Sequence, residues 1–207
     1  TTLGANSVFA AATTLNLNTS AVLTAGTIVV AAATTVNIDA ASNITANTIT
    51  SGAATAINIS GAGDLVAYTQ NGTAAAVITN SGTGAVTLVT DVAAGQTYVG
   101  GAGIDTLGFA TTNTTASTLG AGNDVATFVA VAGTGGSVDA GAGTADTVSL
   151  THALGISLSA ATTFEADISN FEVLSMGAIA AAQTAATVSL ANVDDINSVI
   201  LAGGIDS

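Results

Sequence analysis

The chain has 207 residues, 13 acidic side chains and one histidine, with no lysine, arginine, cysteine or proline, giving a net charge of −13. That balance excludes an electrostatic grip on nucleic acid, which needs clustered Lys or Arg, and equally a grip on anionic lipid headgroups. Mean hydropathy is +0.67, yet alanine drives it, no apolar run nears the ~18 residues of a spanning helix, and zero cysteine leaves metal or repetition as the available clamps.

From residue 13 the sequence repeats every 21 residues. Thr13-Thr14-Leu15-Asn16-Leu17-Asn18 is answered by Thr34-Thr35-Val36-Asn37-Ile38-Asp39, then by Thr55-Ala56-Ile57-Asn58-Ile59-Ser60. A second strand keeps the period at Leu23-Thr24, Ile44-Thr45 and Leu65-Val66, and Gly61-Ala62-Gly63 returns as Gly82-Thr83-Gly84. Small β-branched and polar residues at period two suit stacked strands better than helices. A unit of this size cannot bury its apolar face alone; stacking buries it. The expected fold is therefore all-β, a parallel β-helix or β-roll solenoid with coils of 19–21 residues. At ~4.8 Å per coil, roughly ten coils make a rod about 45–50 Å long.

Alternation assigns the faces. Leu15, Leu17, Val36, Ile38, Ile57 and Ile59 point inward, and Asn16, Asn37 and Asn58 form an outward amide column that passes to Thr79. A second outward column, Thr14 and Thr35, gives way to Ala56. This is too short and mixed for the flat ladder of an ice-binding solenoid.

The middle of the chain carries the chemistry. Gly100-Gly101-Ala102-Gly103-Ile104-Asp105-Thr106-Leu107-Gly108 reads G-G-x-G-x-D-x-L-x, the calcium-binding nonapeptide of β-rolls. Degenerate copies follow at Gly120-Ala121-Gly122-Asn123-Asp124 and at Gly141-Ala142-Gly143-Thr144-Ala145-Asp146, the last with one extra residue. The G-x-G markers at 61, 82, 101, 120 and 141 step by 21, 19, 19 and 21, so the turns are one corner of one solenoid. In that register Asp105 and Asp124 take the place of Leu65 and Val86. An apolar edge becomes a carboxylate edge, backed by Leu107, Ala126 and Val148, then Phe109, Phe128 and Leu150.

Two carboxylates about 5 Å apart repel by roughly 3 kcal/mol at an effective dielectric near 20. Asp105, Asp124, Asp139 and Asp146 crowd this edge, and no basic residue exists to balance them. Calcium fits: it accepts several oxygens, including the carbonyls of Gly101, Gly103, Gly120, Gly122, Gly141 and Gly143. Magnesium demands a rigid octahedron, and zinc wants His or Cys. Asp64 falls one place early and reads as a turn acid; Glu165, Asp167 and Glu172 could make another site but read rather as solubility residues at strand edges, and Asp194-Asp195 is a further metal candidate.

Past residue 150 the pattern loosens. Phe164 to Ser175 reads as a turn and a strand, Thr187-Val188-Ser189-Leu190 and Ser198-Val199-Ile200-Leu201 as further strands, and Ala178 to Ala186 as a loop or short helix. His152 lies near Ser149, Ser157 and Asp146, but a lone His without a nucleophile elbow is no triad. It reads as a surface residue, and Tyr68 and Tyr98 read as packing residues. The chain divides into 1–95, regular 21-residue coils; 96–150, calcium coils; and 151–207, a less regular continuation. It is expected to be one continuous solenoid and, from Gly203-Gly204-Ile205-Asp206-Ser207 opening like another turn, part of a longer protein.

The nonapeptide, its two variants and Asn170-Phe171-Glu172-Val173-Leu174 resemble RTX-type surface-layer proteins of bacteria, the Caulobacter type among them. The resemblance implies type I secretion, folding on calcium outside the cell, and assembly with copies of itself into a two-dimensional lattice. It also implies contact with cell-surface polysaccharide through another part of the chain. The resemblance places the calcium-ligand Asp of that family on Asp105 and Asp124 and, across one inserted residue, on Asp146. The alternative is the stalk of a calcium-dependent adhesin secreted the same way. An enzyme is not expected: β-helix lyases neutralise their uronate with Lys or Arg, and this chain has neither.

Overall fold

The computed structural model describes residues 2–110, 113–130, 135–178 and 187–202. Within them the backbone winds as a parallel β-solenoid. Ten strands form a long sheet: Thr2–Val8, Leu23–Val29, Ile44–Thr50, Leu65–Tyr68, Val86–Leu88, Asp105–Phe109, Val125–Phe128, Thr147–Leu150, Val173–Met176 and Ser198–Leu201. Eight form a short sheet: Thr14–Thr19, Thr35–Ala40, Ala56–Ser60, Val77–Asn80, Thr97–Val99, Ala116–Thr118, Ser137–Asp139 and Ile168–Ser169. The two sets alternate along the chain as far as Val173–Met176, so a coil gives one strand to each sheet, and Ser198–Leu201 then follows in the long sheet. Eight turns are complete in both sheets, fewer than the roughly ten coils expected.

The register is the sequence period made physical. Leu15 pairs with Val36 and Val36 with Ile57; Leu23 pairs with Ile44 and Ile44 with Leu65. Val36, Ile38, Ile57 and Ile59 are buried, and Leu15 and Leu17 are half-buried against the same core. The amide column forms as expected: Asn37 Nδ2 donates to Asn16 Oδ1 at 2.7 Å and Asn58 Nδ2 to Asn37 Oδ1 at 2.8 Å. Each such bond contributes about 1 kcal/mol net, and the ladder also fixes register, because a slip of one residue would turn it inward.

Further along, Leu107, Ala126 and Val148 stack in the core, followed by Phe109, Phe128 and Leu150. The Phe109 and Phe128 rings stack at 5.4 Å, and Phe164 and Phe171 meet Phe128 edge-on at 5.5 and 6.4 Å.

Three expectations beyond residue 150 need correction. A helix, His152–Leu158, interrupts the coils; Thr151 caps it by accepting the Leu154 amide, and Leu154 and Leu158 turn one face to the core. His152 is buried at its start, not on the surface. Residues 187–189 form no strand and lead into a 3-10 turn at Leu190–Asn192, whereas Ser198–Leu201 is the strand expected. The stretch 179–186 and the turn-like end from Gly203 lie outside the described residues. No helix among the described residues is long and apolar enough to cross a membrane.

Candidate cation column

The glycine markers pack backbone on backbone. A Cβ on Gly101 would stand 2.4 Å from the Gly82 carbonyl oxygen, and one on Gly120 would stand 2.2 Å from that of Gly101. Gly120 also has φ +100°, which disfavours any side chain. The second glycines stack likewise, Gly103 on Gly84 and Gly122 on Gly103. Glycine is needed here because consecutive corners touch.

Just past this corner runs one inward column. Leu65 pairs with Val86 and Val86 with Asp105, and the flanking pairs Thr106–Val125 and Val125–Thr147 carry the register on to Asp124 and Asp146. All three carboxylates are completely buried. They face inward, where the earlier coils hold Leu and Val. Each is tied to the coil before it: Val86 N–H donates to Asp105 Oδ1 at 3.1 Å, Asp105 N–H to Asp124 Oδ1 at 2.7 Å, and Asp124 N–H to Asp146 Oδ1 at 2.7 Å. The next rung is Glu172, whose Oε2 accepts the Asp146 amide at 2.9 Å.

The rungs differ in what is left over. Asp105 has both oxygens engaged, since Tyr98 Oη donates to Oδ2 at 2.7 Å and Asn80 Nδ2 approaches Oδ1 at 3.3 Å. Asp124 Oδ2 and Asp146 Oδ2 are buried with no partner. The complete nonapeptide thus ends on the best-satisfied carboxylate, and the degenerate copies hold the free oxygens. Leaving a buried acceptor unpaired costs about 1–3 kcal/mol, and more for a charged one.

Burial pushes the Asp105 carboxyl up to about 6, partly offset by its bonds to Tyr98 and the Val86 amide. Burial pushes Asp124 up to about 7, with the Asp105 amide opposing and the charges of Asp105 and Asp146 adding to the rise. Asp146 is raised by burial, and further by Glu172 and Asp139. Burial also drives the Tyr98 hydroxyl well above its ordinary range, so it stays a donor. At neutral pH, ionised carboxylates here need a positive partner, and the chain has no Lys or Arg.

Among the described residues no three His, Cys, Asp or Glu side chains gather as a cage. The acids are strung one per coil, so other ligands must come from the backbone. Beside Gly143 they do: a point where its Cβ would sit lies 2.2 Å from Asp146 Oδ2 and 2.3 Å from the Gly122 carbonyl oxygen. An unpartnered carboxylate oxygen and a glycine carbonyl oxygen are thus close neighbours at this corner. Hard oxygens of mixed side-chain and backbone origin are the donor set calcium takes, and the residues fit it. Outside the corner lies an open groove of about 530 Å³, lined by Ile104, Gly122, Asn123, Ala142, Gly143 and Thr144.

Asp139 stands apart from the column. It pairs with Thr118 and Ser169, and its Oδ1 accepts the Gly141 amide at 2.9 Å and Asn170 Nδ2 at 2.7 Å. Gly141, with φ +91°, follows that turn. Asp64 is a turn acid, bonded to Asn43 and the Ala85 amide. Asp194 accepts the Phe171 amide at 2.6 Å from a left-handed backbone, φ 48°. Sequence reasoning missed Asn80, read Tyr98 only as a packing residue, and set the site reading of Glu172 below a solubility role. Glu172 stands before Val173-Leu174 as Asp146 stands before Thr147-Val148, but the inserted helix stretches the spacing to 26 residues.

Fold and column together define a parallel β-solenoid whose inward apolar column becomes a hydrogen-bonded carboxylate ladder. No family model, curated protein or solved structure matches the chain.

Proposed function

We propose that the chain is a non-enzymatic structural element, a calcium-clamped β-solenoid of a secreted bacterial surface layer that assembles into a two-dimensional lattice. One observation carries the calcium part: two fully buried carboxylates, Asp124 and Asp146, each with an unpartnered oxygen, in a chain without Lys or Arg. A bound calcium ion would supply the missing positive charge. Asp124 and Asp146, through their unpartnered oxygens, and the Gly122 carbonyl are the groups that would hold it. Asp105 anchors the N-terminal end of the ladder through Tyr98 and Asn80.

The arrangement suits a structural role because the ladder acids are spent on neighbouring coils: each accepts an amide of the coil before it. Extracellular calcium, at millimolar levels, fits weak modular sites, so the coils would tighten only after export. The surface-layer assignment rests on the resemblance of residues 96–175 and on the repetitive, lysine-free composition.

The test is chelation followed by imaging. Calcium-loaded protein is expected to form ordered sheets by negative-stain microscopy, and EGTA to disperse them while loosening the coils around residues 100–150. Full structure and assembly in chelator would refute calcium clamping. Calcium binding without arrays would favour the adhesin stalk.

A further inference from the structure

We propose that Glu172 is a cation ligand: with Asp146 it forms a divalent-cation site one coil beyond the last glycine corner, selective for hard, oxygen-seeking ions of the calcium type. The inference rests on the calcium reading above but concerns a residue outside every nonapeptide copy.

The register puts it there. Thr147 pairs with Val173, so Glu172 directly follows Asp146 in the column, and its bond to the Asp146 amide repeats the two preceding rungs. The corner before it is built without glycine. Asn170 takes the left-handed backbone, φ 62°, and its side chain donates to Asp139. A helix and a 3-10 turn have been inserted between residues 151 and 167, and the longer Glu side chain still reaches the amide that Asp reaches elsewhere.

Two further facts point to a ligand and not merely to another solubility acid. Asp146 is completely buried, and its Oδ2 has no partner although Oδ1 is bonded to the preceding coil. The Gly122 carbonyl converges with that oxygen beside Gly143. Glu172 is only half-buried, so this end of the column is reachable from solvent. Asp139 and Glu172 both act on Asp146 by their charge, and Asp195 and Glu172 on Asp194. These charges act on one another in a chain that has no Lys or Arg to offset them. The backbone oxygens nearby are already used: Asp146 O accepts the Glu172 and Val173 amides, and Glu172 O those of Asn197 and Ser198. The carboxylates carry the spare lone pairs.

The test compares Glu172→Gln with Glu165→Gln in the whole chain, using calorimetric calcium titration and terbium luminescence. Gln keeps an oxygen for the Asp146 amide, and circular dichroism in chelator at about pH 4 checks that the fold is retained. Glu172→Gln is expected to lose one binding event or weaken it at least about tenfold, while Glu165→Gln, on the exposed 3-10 turn, titrates as the wild type. Glu172→Asp keeps the charge with a shorter reach and is expected to fall between. Wild-type and Glu172→Gln isotherms that superimpose would overturn this inference alone. A wild-type chain that takes up no calcium would overturn it together with the calcium reading.

Discussion

In the ion-free protein, raising the pH from about 4 to about 8 should weaken the coils that carry Asp105 and Asp124. In the unfolded chain these carboxyls titrate near 3.8; in the fold burial moves them to about 6 and about 7. Between those values the folded state binds more protons than the unfolded state. The stabilisation is therefore complete below the unfolded value and disappears as pH rises through the folded ones. At about 1.4 kcal/mol per pH unit, Asp105 accounts for about 3 kcal/mol and Asp124, discounted for partial solvent screening, for about 2–3. The two share one mutual repulsion, so the joint loss is about 5 kcal/mol. For a chain of this length that is a fall of about 10–20 °C in melting temperature. The assay is thermal circular dichroism in EGTA across the range, repeated in millimolar calcium. Calcium should restore the loss at the alkaline end and change little at the acid end, where protons already neutralise the column. A melting temperature in chelator that stays flat or rises between about pH 4 and about 7 would show that the carboxylates are not held as described.

Asp124→Asn keeps an oxygen for the Asp105 amide but removes the charge; it should raise the melting temperature in chelator at about pH 8 and blunt the response to calcium, both read by thermal denaturation. Gly120→Ala places a methyl 2.2 Å from the Gly101 carbonyl at φ +100° and should destabilise by about 2–4 kcal/mol in a denaturant titration. Phe128→Ala opens a void between Phe109, Phe164 and Phe171 and should cost about 3–5 kcal/mol by the same measurement. Asn37→Ala breaks both rungs of the exposed amide ladder, for about 1–2 kcal/mol and no change in calcium affinity.

Much of the fold was legible because a solenoid writes its register into sequence spacing. A period of 21 placed Leu15 on Val36 and Asn16 on Asn37, and the G-x-G steps placed Asp105 on Val86. Depth was harder to read. Asp normally marks a wet turn, so the column read as an edge, yet Asp105, Asp124 and Asp146 occupy core positions. Alternation already implied this, since they stand where Leu65 and Val86 point inward. Tyr98 and Asn80 gave no signal as partners, because their bonds to Asp105 join residues 7 and 25 apart on different sides of the coil. The helix at 152 was signalled by Thr151 and the Leu154–Leu158 spacing, but a strand-dominated context outweighed seven residues.

Why a solenoid should exchange a Leu–Val column for acids follows from the energetics of stacking. Each coil is stabilised by its neighbours, and coils joined through Leu23, Ile44, Leu65 and Val86 hold together in any aqueous medium, because apolar burial needs no ion. On the proposed reading, coils joined through Asp124 and Asp146, which are buried, hold fully only when protons or a cation neutralise that charge. The backbone bonds are kept on both sides of the exchange, so the path of the chain does not change; only the condition for closing it does. On the proposed reading, the apolar coils give a template whose exposed strand edge waits, and the carboxylate coils add to it once calcium is present. The order of the two columns along the chain then decides the order of folding: hydrogen exchange in chelator at neutral pH should protect residues 23–88 and leave 105–150 open, and calcium should protect both. Equal protection of the two regions in chelator would show that the acid column needs no ion, and would remove the reason for having it.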